Sequence, residues 1–311
     1  MSTIAVVRSQ YLMQQEGQGE STAYKHSNHK KDVDAVVQAL SALQVPYILL
    51  NESELSRTAL LAREGIGVIV VPGMRVCAEG GFQRLINLAE QGWIVFAAID
   101  SLYYDRLETG QTERAIERRI RELFQLPGDS CVRSRRLTKG VIQFDRTRFD
   151  WLTKGMTSRI DYSGRYRWML ALSGQSESLA FHGNILAEEP ADREGVIDES
   201  LRGKAVPAFL IREYTTGGMF IYACFSPPVV ENSKQIWRNL SEFPSESKSR
   251  WTQVRMLKTL VIVLACAVGF LLARELMGDS WRAYIGGIVS GSLTGLIGNW
   301  LTDRLNRWIK R

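Results

Sequence analysis

Two long apolar segments near the C-terminus constrain this chain more than any other feature. Leu257–Ala273 carries a single charge, Lys258, and Ala283–Leu301 carries none. Each is close to the ~20 residues that a helix needs to cross a hydrocarbon core, and backbone in lipid must satisfy its own hydrogen bonds. The sequence therefore predicts a membrane hairpin over 256–311, with spans at about 257–275 and 283–301. A single crossing, with the second segment an interfacial or buried helix, is the alternative.

The charges that flank these segments predict their orientation. Lys and Arg precede the first segment and follow the second, whereas the link Arg274–Arg282 carries mixed charge. The positive-inside rule then places both chain ends in the cytoplasm. We therefore expect a multi-pass protein of the inner (cytoplasmic) membrane, with the lipid bilayer as a partner. The formal net charge of +6 is modest and lies largely beside these segments, so nucleic-acid binding is not expected.

The second apolar segment carries a regular glycine pattern. Gly287, Gly291 and Gly295 recur every four residues. This spacing places them on one helical face, where another backbone can approach closely. The partner is either the first segment of the same hairpin or a second chain. We expect a homo-oligomer with these three glycines at its membrane contact.

Apolar runs alternate with helical patterns in the first hundred residues. Continuous runs such as Ile66–Val71 are typical of parallel strands covered by helices on both faces. Strands alternating with helices predict an α/β class, a doubly wound and mostly parallel sheet, for a cytoplasmic domain over 1–240. Residues 241–255 form a polar and basic linker. The other predicted strands are Ile4–Val7, Val45–Leu50 and Ile94–Ala98, and the predicted helices are Lys31–Leu43, Leu55–Ala62 and Glu79–Gln91.

One stretch of this domain resembles a known family. Val68–Asp100, VIVVPGMRVCAEGGFQRLINLAEQGWIVFAAID, is similar to the class I glutamine amidotransferase-like fold. The resemblance is closer to its non-catalytic branch, found in the middle (trimerisation) domain of some β-galactosidases and in membrane-anchored relatives. Val33–Leu55 resembles that branch's opening, Pro207–Ala223 its closing β-hairpin and Val229–Leu240 its final helix. The resemblance implies a flavodoxin-like or amidotransferase-like sheet.

The residues that would carry amidotransferase chemistry are absent. In active members a Cys follows the strand equivalent to Ile94–Ala98, and a later His with an acidic partner activates it. Here Asp100 and Ser101 occupy that turn, and no His follows Met219–Ala223. We therefore expect no glutamine hydrolysis and no enzyme activity. A serine hydrolase built on Ser101 is the alternative, and it needs a base from His26, His29 or His182.

The cysteines and the His26/His29 pair are the candidates for thiol and metal chemistry. Cys77 stands near a helix start, where the helix dipole lowers a thiol pKa, but a buried structural cysteine is the favoured reading. The four cysteines form no CxxC pair, so neither a disulfide framework nor a zinc site is expected. His26 and His29 have suitable spacing but lack partners to complete a metal site. We expect no metal and no cofactor.

Ligand-binding candidates come from topology and charge. Ligands of open α/β sheets settle outside the carboxyl ends of the strands, and Arg side chains match phosphate oxygens. The candidates at the strand ends are Arg8, Gly73, Arg75, Asp100 and Ser101, and those in the basic loop Arg133–Lys139 are Arg133, Arg135 and Arg136.

These features together predict a membrane-anchored, catalytically inactive, amidotransferase-like binding and assembly protein. Its cytoplasmic domain would sense a ligand or partner, and its hairpin would oligomerise. Two alternatives stay open: a membrane-disrupting effector of a bacterial antiviral defence system, and an accessory subunit of a polysaccharide or envelope machine. An enzyme of unrecognised type is a further alternative.

Overall fold

The computed structural model describes residues 1–15, 28–78, 80–99, 101–102, 104–106, 112–124, 132–144, 147–169, 179–191, 196–227 and 233–243. All of them lie in the compact unit Met1–Glu246. The glycines Gly287, Gly291 and Gly295 of the predicted hairpin lie outside the described residues, and so does Asp100.

The prediction of a membrane protein needs a correction. No helix within the described ranges is long and apolar enough to span a membrane. The spans predicted at about 257–275 and 283–301 fall outside those ranges. The predictions of a transmembrane hairpin and of a multi-pass inner-membrane protein therefore find no support in the described residues.

One half of the main sheet is parallel and follows the sequence prediction. Its neighbouring strands run in the order β2, β1, β3, β5, β12, and each adjacent pair is parallel. The continuous apolar runs explain this half, because β3 is buried at every residue and β5 at all but its last. The strands are β1 Thr3–Arg8, β2 Tyr47–Asn51, β3 Ile66–Val71, β5 Ile94–Ala98 and β12 Met219–Ala223.

Helices connect these strands and cover the sheet. In the second helix, Val33, Val36 and Leu40 recur at helical spacing and are buried against the core. The helices are α1 Gln10–Gln15, α2 His29–Ala42, α3 Thr58–Arg63, α4 Gly81–Glu90, α5 Ile116–Phe124, α6 Asp150–Thr153 and α7, residues 234–243. Helix α1 is not among the helices predicted from the sequence, and its Leu12 is buried.

A second, three-stranded sheet lies between β3 and α5 along the chain. Its strands β4 Val76–Cys77, β6 Tyr104–Arg106 and β7 Thr112–Arg114 lie in that order. The first pair is parallel and the second antiparallel. This small sheet joins the segments that leave β3 and β5.

The other half of the main sheet is antiparallel, so the prediction of a doubly wound, mostly parallel sheet is wrong. From β12 the order continues through β11, β10 and β8 to β9, and every one of these pairs is antiparallel. The predicted basic loop Arg133–Lys139 lies inside β8. The strands are β8 Val132–Gln143, β9 Arg159–Met169, β10 Leu179–Ala191 and β11 Ala205–Glu213.

The side chains of β9 explain why the sequence pattern does not reveal this antiparallel half. Ile160, Tyr162 and Tyr166 are buried, whereas the intervening Asp161 and Arg165 are exposed. Such a strand buries one face only and shows no continuous apolar run. The charged segments of β8 and β9 therefore resemble loops when only the sequence is considered.

This antiparallel half curls back toward β12. Tyr166 of β9 forms a β-bridge with Phe225, which follows β12. An aromatic core fills the curl, with the rings of Phe209 and Phe225 at 5.1 Å and those of Tyr162 and Phe225 at 6.1 Å. The curl brings β9 beside the carboxyl ends of the parallel strands.

Candidate functional site

The carboxyl ends of β3 and β5 form a narrow crevice with the segment after β12. Its cavity has a volume of about 20 Å³, which is room for about one water molecule. Trp237 of α7 lies in its wall. The polar and loop residues of the lining are Asp32, Pro72, Gly73, Ser226 and Pro227.

Gly73 allows the chain to turn at the end of β3. Its φ is +48°, in the left-handed region that favours glycine. The carboxylate of Asp32 packs so closely against it that a Cβ at this position would overlap the Asp32 oxygen. The crevice is therefore closed partly by Asp32, at the start of α2.

His29 joins the ends of two parallel strands. The backbone N–H of Ser9, after β1, donates to His29 Nε2 at 2.9 Å, and His29 Nδ1 lies 2.7 Å from the carbonyl oxygen of Pro72, after β3. This network assigns the ring proton to Nδ1. Burial lowers the pKa of His29 to about 4, with the bond to Pro72 opposing the shift and Arg8 adding to it. His29 is a neutral structural link between residues that are distant along the chain.

Ser101 is a second link at the same edge. It is fully buried, and its hydroxyl donates a 2.7 Å hydrogen bond to the carbonyl oxygen of Val71 in β3. The next residue, Leu102, has a φ of +67°, and its backbone N–H donates to the carbonyl oxygen of Met74 at 2.8 Å. The turn after β5 is therefore a tight connection and does not present an exposed nucleophile.

The structure places the predicted strand-end arginines in different environments. Arg8 is exposed, and its Nε lies 3.3 Å from the sulfur of Met13. Arg75 is 9% exposed, with its guanidinium 5.6 Å from the ring centre of Tyr104. Gly73 and Arg75 lie beside Ser101, because the segment after β5 pairs with the segment after β3. Ligand binding by these residues stays a prediction.

Cys77 is enclosed in the small sheet. It is fully buried, and burial raises its thiol pKa to about 12, although Arg119 opposes the shift. The Nη1 of Arg119 lies 3.7 Å from the sulfur and donates to the carbonyl oxygen of Leu102 at 2.9 Å. A thiol that stays protonated and enclosed is unreactive.

The three arginines of β8 do not converge on one site. Arg135 and Arg136 are neighbours in a strand, so their side chains leave opposite faces of the sheet. The side chain of Arg133 lies outside the described part. Arg135 is half-buried, with its Nε 3.9 Å from a carboxylate oxygen of Asp198, and Arg136 is exposed. Arg135 and Arg136 therefore do not face the same side of the sheet, and ligand binding by the basic residues of β8 stays a prediction.

Arg135 pairs across the sheet with Tyr166. Within the described residues, the buried Tyr166 hydroxyl and the buried Arg135 Nε make no hydrogen bond, although Arg135 Nε lies within ion-pair distance of Asp198. Burial raises the pKa of Tyr166 to about 12, and the Asp198 charge adds to this shift while Arg135 opposes it. The Tyr166 phenol is therefore neutral.

His182 is a buried histidine whose role the sequence does not reveal. Its ring nitrogens lie 2.8 Å from the hydroxyl of Thr147 and 2.7 Å from that of Thr153. Its ring stacks on Phe144 and Phe209. Both nitrogens are thus occupied. Among the residues that the structure describes, no group of three or more His, Cys, Asp or Glu side chains could hold a metal ion.

Comparison with known proteins gives a likeness in fold. No family model and no curated protein matches the chain. A β-galactosidase from Rahnella sp. R3 is similar over 80% of this chain and 31% of its own, with 14% identity and a TM-score of 0.50. A β-galactosidase from Bacillus circulans sp. alkalophilus is similar over 78% and 31%, with 13% identity and a TM-score of 0.50.

These likenesses show the fold alone, since the chain spans 31% of the length of either enzyme. The neighbours are glycoside hydrolases, and no glutamine amidotransferase was found among the similar structures. The assignment to the amidotransferase-like superfamily is therefore wrong. The described domain is instead a mixed nine-stranded sheet with a fold similar to part of these β-galactosidases.

Proposed function

We propose that this chain is a binding and assembly protein without catalytic activity. One observation carries the proposal: the candidate nucleophiles and bases in the described residues are buried and engaged in structural contacts. Ser101 and Cys77 are fully enclosed. Both nitrogens of His29 and of His182 are occupied.

Nucleophilic catalysis needs a base within hydrogen-bond reach and space for a substrate beside both groups. The hydroxyl of Ser101 donates to the backbone of Val71. The cavity at the ends of β3 and β5 has room for about one water molecule. Within the described residues, these contacts favour a structural role for Ser101 over that of a nucleophile.

Glycoside hydrolysis needs two carboxyl groups that face each other across the scissile bond. Two carboxylates of the described residues lie against the backbone between β3 and α4. Asp32 packs against Gly73, and Glu52 accepts a hydrogen bond from the N–H of Ala78. These contacts favour structural roles for both acids.

The mass of the purified full-length chain over a wide range of concentration tests the proposal. We expect reversible association, and we expect Ser101→Ala and Cys77→Ala to associate as the parent does. A chain that stays monomeric would contradict the assembly role, and hydrolysis of a substrate through Ser101 or Cys77 would contradict the absence of catalytic activity. The described residues hold no feature that favours the effector or envelope alternatives, so neither is proposed.

A further inference from the structure

We infer that this chain binds a hydroxyl group of a small polyol between Arg135, Tyr166 and Asp198, in the antiparallel half of the main sheet. A polyol here means a neutral molecule that carries several hydroxyl groups. The inference rests on the proposed function, because it gives the binding role a site and a class of ligand.

Arg135 and Tyr166 lie opposite each other on the neighbouring strands β8 and β9. Residues opposite each other in an antiparallel pair carry their side chains on the same face of the sheet. Asp198 comes from the segment after β10, where its backbone N–H donates to the carbonyl oxygen of Pro190 at 2.7 Å. One oxygen of its carboxylate, Oδ2, lies 3.9 Å from Arg135 Nε. Three separate segments therefore bring these side chains together.

The site contains two buried hydrogen-bond donors. Tyr166 is fully buried, and its hydroxyl makes no hydrogen bond to any residue that the structure describes. Arg135 Nε is also buried and makes none within the same part of the chain, since 3.9 Å is too long for a hydrogen bond to Asp198. Buried polar groups of native proteins nearly always have a partner. Two neighbouring donors of this kind indicate a site for an acceptor.

The carboxylate of Asp198 supplies an acceptor beside these donors. Its Oδ1 accepts a 2.6 Å hydrogen bond from the hydroxyl of Ser200, and its Oδ2 is the oxygen that lies 3.9 Å from Arg135 Nε. Burial raises the pKa of Tyr166 to about 12, so the phenol keeps the proton that it can donate. The site therefore presents two donors and one acceptor to a ligand.

A hydroxyl group matches this set of donors and acceptors. Its oxygen accepts two hydrogen bonds, and its proton makes a third. It can accept from the Tyr166 hydroxyl and from Arg135 Nε, and donate to Asp198 Oδ2. Two groups that are 3.9 Å apart can each lie about 2.8 Å from one oxygen placed between them.

The charges at the site favour a neutral ligand. Arg135 and Asp198 carry opposite charges and lie within ion-pair distance of each other. A phosphate or carboxylate would meet the like charge of Asp198, and a cation would meet that of Arg135. A cation would also offer no acceptor to the two donors. A hydroxyl group avoids both conflicts.

Exposure at the site explains why the ligand carries several hydroxyl groups. The side chains of Arg135 and Asp198 are 21% and 29% exposed, whereas Tyr166 is fully buried. A single hydroxyl group has the same hydrogen-bonding capacity as water and gains little over it. Further hydroxyl groups on the same molecule can contact the exposed parts of Arg135, Asp198 and Ser200, so a polyol competes with water where a simple alcohol does not.

The test titrates the full-length chain in a calorimeter with sorbitol, glucose and inorganic phosphate. We expect the parent to bind at least one of the two polyols, and Arg135→Gln and Tyr166→Phe each to weaken that binding about tenfold or more. Arg159→Gln is the matched control, because Arg159 lies in the same hairpin, also 3.9 Å from a carboxylate oxygen, of Glu188, but is exposed. It should bind as the parent does. Denaturation of each variant confirms that it is folded.

A second variant tests the choice of a neutral ligand. Asp198→Asn removes the negative charge, so we expect it to bind phosphate more tightly than the parent does. A parent that binds phosphate more tightly than either polyol overturns the choice of a hydroxyl ligand.

The remaining outcomes separate this inference from the proposed function. A parent that binds neither polyol, which means that the site holds water only, overturns the inference. Polyol binding that Arg135→Gln and Tyr166→Phe leave unchanged overturns it as well. Association and turnover of the same preparation test the proposed function by themselves, so a chain that associates without turnover and binds no polyol keeps the assembly role and loses this site. Binding that both variants weaken and Arg159→Gln preserves supports the site.

Discussion

The hydroxyl of Ser101 lies 2.7 Å from the carbonyl oxygen of Val71 and donates to it, which joins the turn after β5 to the end of β3. A serine at this turn suggests a nucleophile when only the sequence is considered. In the folded chain its proton is committed to a neighbouring strand, with no solvent exposure. The relationship assigns Ser101 to the stability of the crevice.

Replacing Ser101 therefore tests a structural role. We expect Ser101→Ala to lower the free energy of unfolding by about 1–2 kcal/mol, because a buried hydrogen bond is lost and the carbonyl oxygen of Val71 loses this donor. Urea denaturation measures this. Ser56 makes a similar 3.0 Å bond to the carbonyl of Ser53 at an exposed site, so Ser56→Ala should cost less than about 0.5 kcal/mol. Equal losses in the two variants would argue against a special role for Ser101.

The stability of the domain should depend on the protonation of His29. Its pKa is 6.5 in the unfolded chain and about 4 in the folded one, so the native state favours the neutral ring. This contribution is complete above pH 6.5 and is lost as the pH falls toward about 4. The shift corresponds to about 3 kcal/mol, at about 1.4 kcal/mol per pKa unit.

The measurement is the free energy of unfolding of the parent and of His29→Asn at several pH values in that window. The difference between them should shrink as the pH falls, because protonation removes the advantage of the native ring. A difference that stays constant across the window would show that His29 does not titrate in this way.

Gly73 should tolerate alanine poorly for two separable reasons. Its φ of +48° is strained for a residue with a side chain, and a Cβ would overlap the carboxylate of Asp32. Gly65 has a φ of +65° and open space around its Cα, so Gly65→Ala isolates the strain, about 1–2 kcal/mol. We expect Gly73→Ala to lower the free energy of unfolding by more than that, and similar losses at both sites would refute the close approach of Asp32.

Two tyrosines of β9 provide a matched pair. The buried Tyr166 hydroxyl has no hydrogen-bond partner among the described residues. The Tyr162 hydroxyl donates to the carbonyl of Arg165 at 2.5 Å and accepts from Ser226 N–H at 3.2 Å. Tyr166→Phe should be neutral or raise the free energy of unfolding by up to about 1 kcal/mol, and Tyr162→Phe should lower it by about 1–2 kcal/mol. Thermal denaturation checks both. Destabilisation by Tyr166→Phe would contradict this, because it would indicate that the Tyr166 hydroxyl makes a hydrogen bond in the folded chain.

The sequence predicts the parallel half of the fold and misses most of the antiparallel half. The strand predicted at Ile66–Val71 is confirmed. A continuous apolar run of this length is typical of a parallel strand that is covered on both faces. The closing hairpin, predicted within Pro207–Ala223, is confirmed as β11 and β12. The sequence predicts only the end of β8, as a strand at Gly140–Phe144. Most of β9 escapes prediction because buried residues alternate there with exposed charged ones.

The site is harder to predict because its links join residues that are distant along the chain. His29 lies near Ser9 and Pro72 only after three elements pack, and Ser101 meets Val71 across two strands. Gly73, Arg75 and Ser101 lie at one edge of the sheet, because parallel strands end there, but their binding of a ligand stays a prediction. It cannot show that this edge closes to a cavity the size of one water molecule.

Turnover by the purified full-length chain separates a binding protein from an enzyme most directly. Nitrophenyl β-galactoside and nitrophenyl acetate are suitable substrates, because they cover the activity in the names of the similar structures and the chemistry of a serine nucleophile. We expect rates equal to the uncatalysed background, with no change in Ser101→Ala or Cys77→Ala. A rate above background that Ser101→Ala or Cys77→Ala abolishes, in a variant that remains folded, would contradict the non-catalytic role.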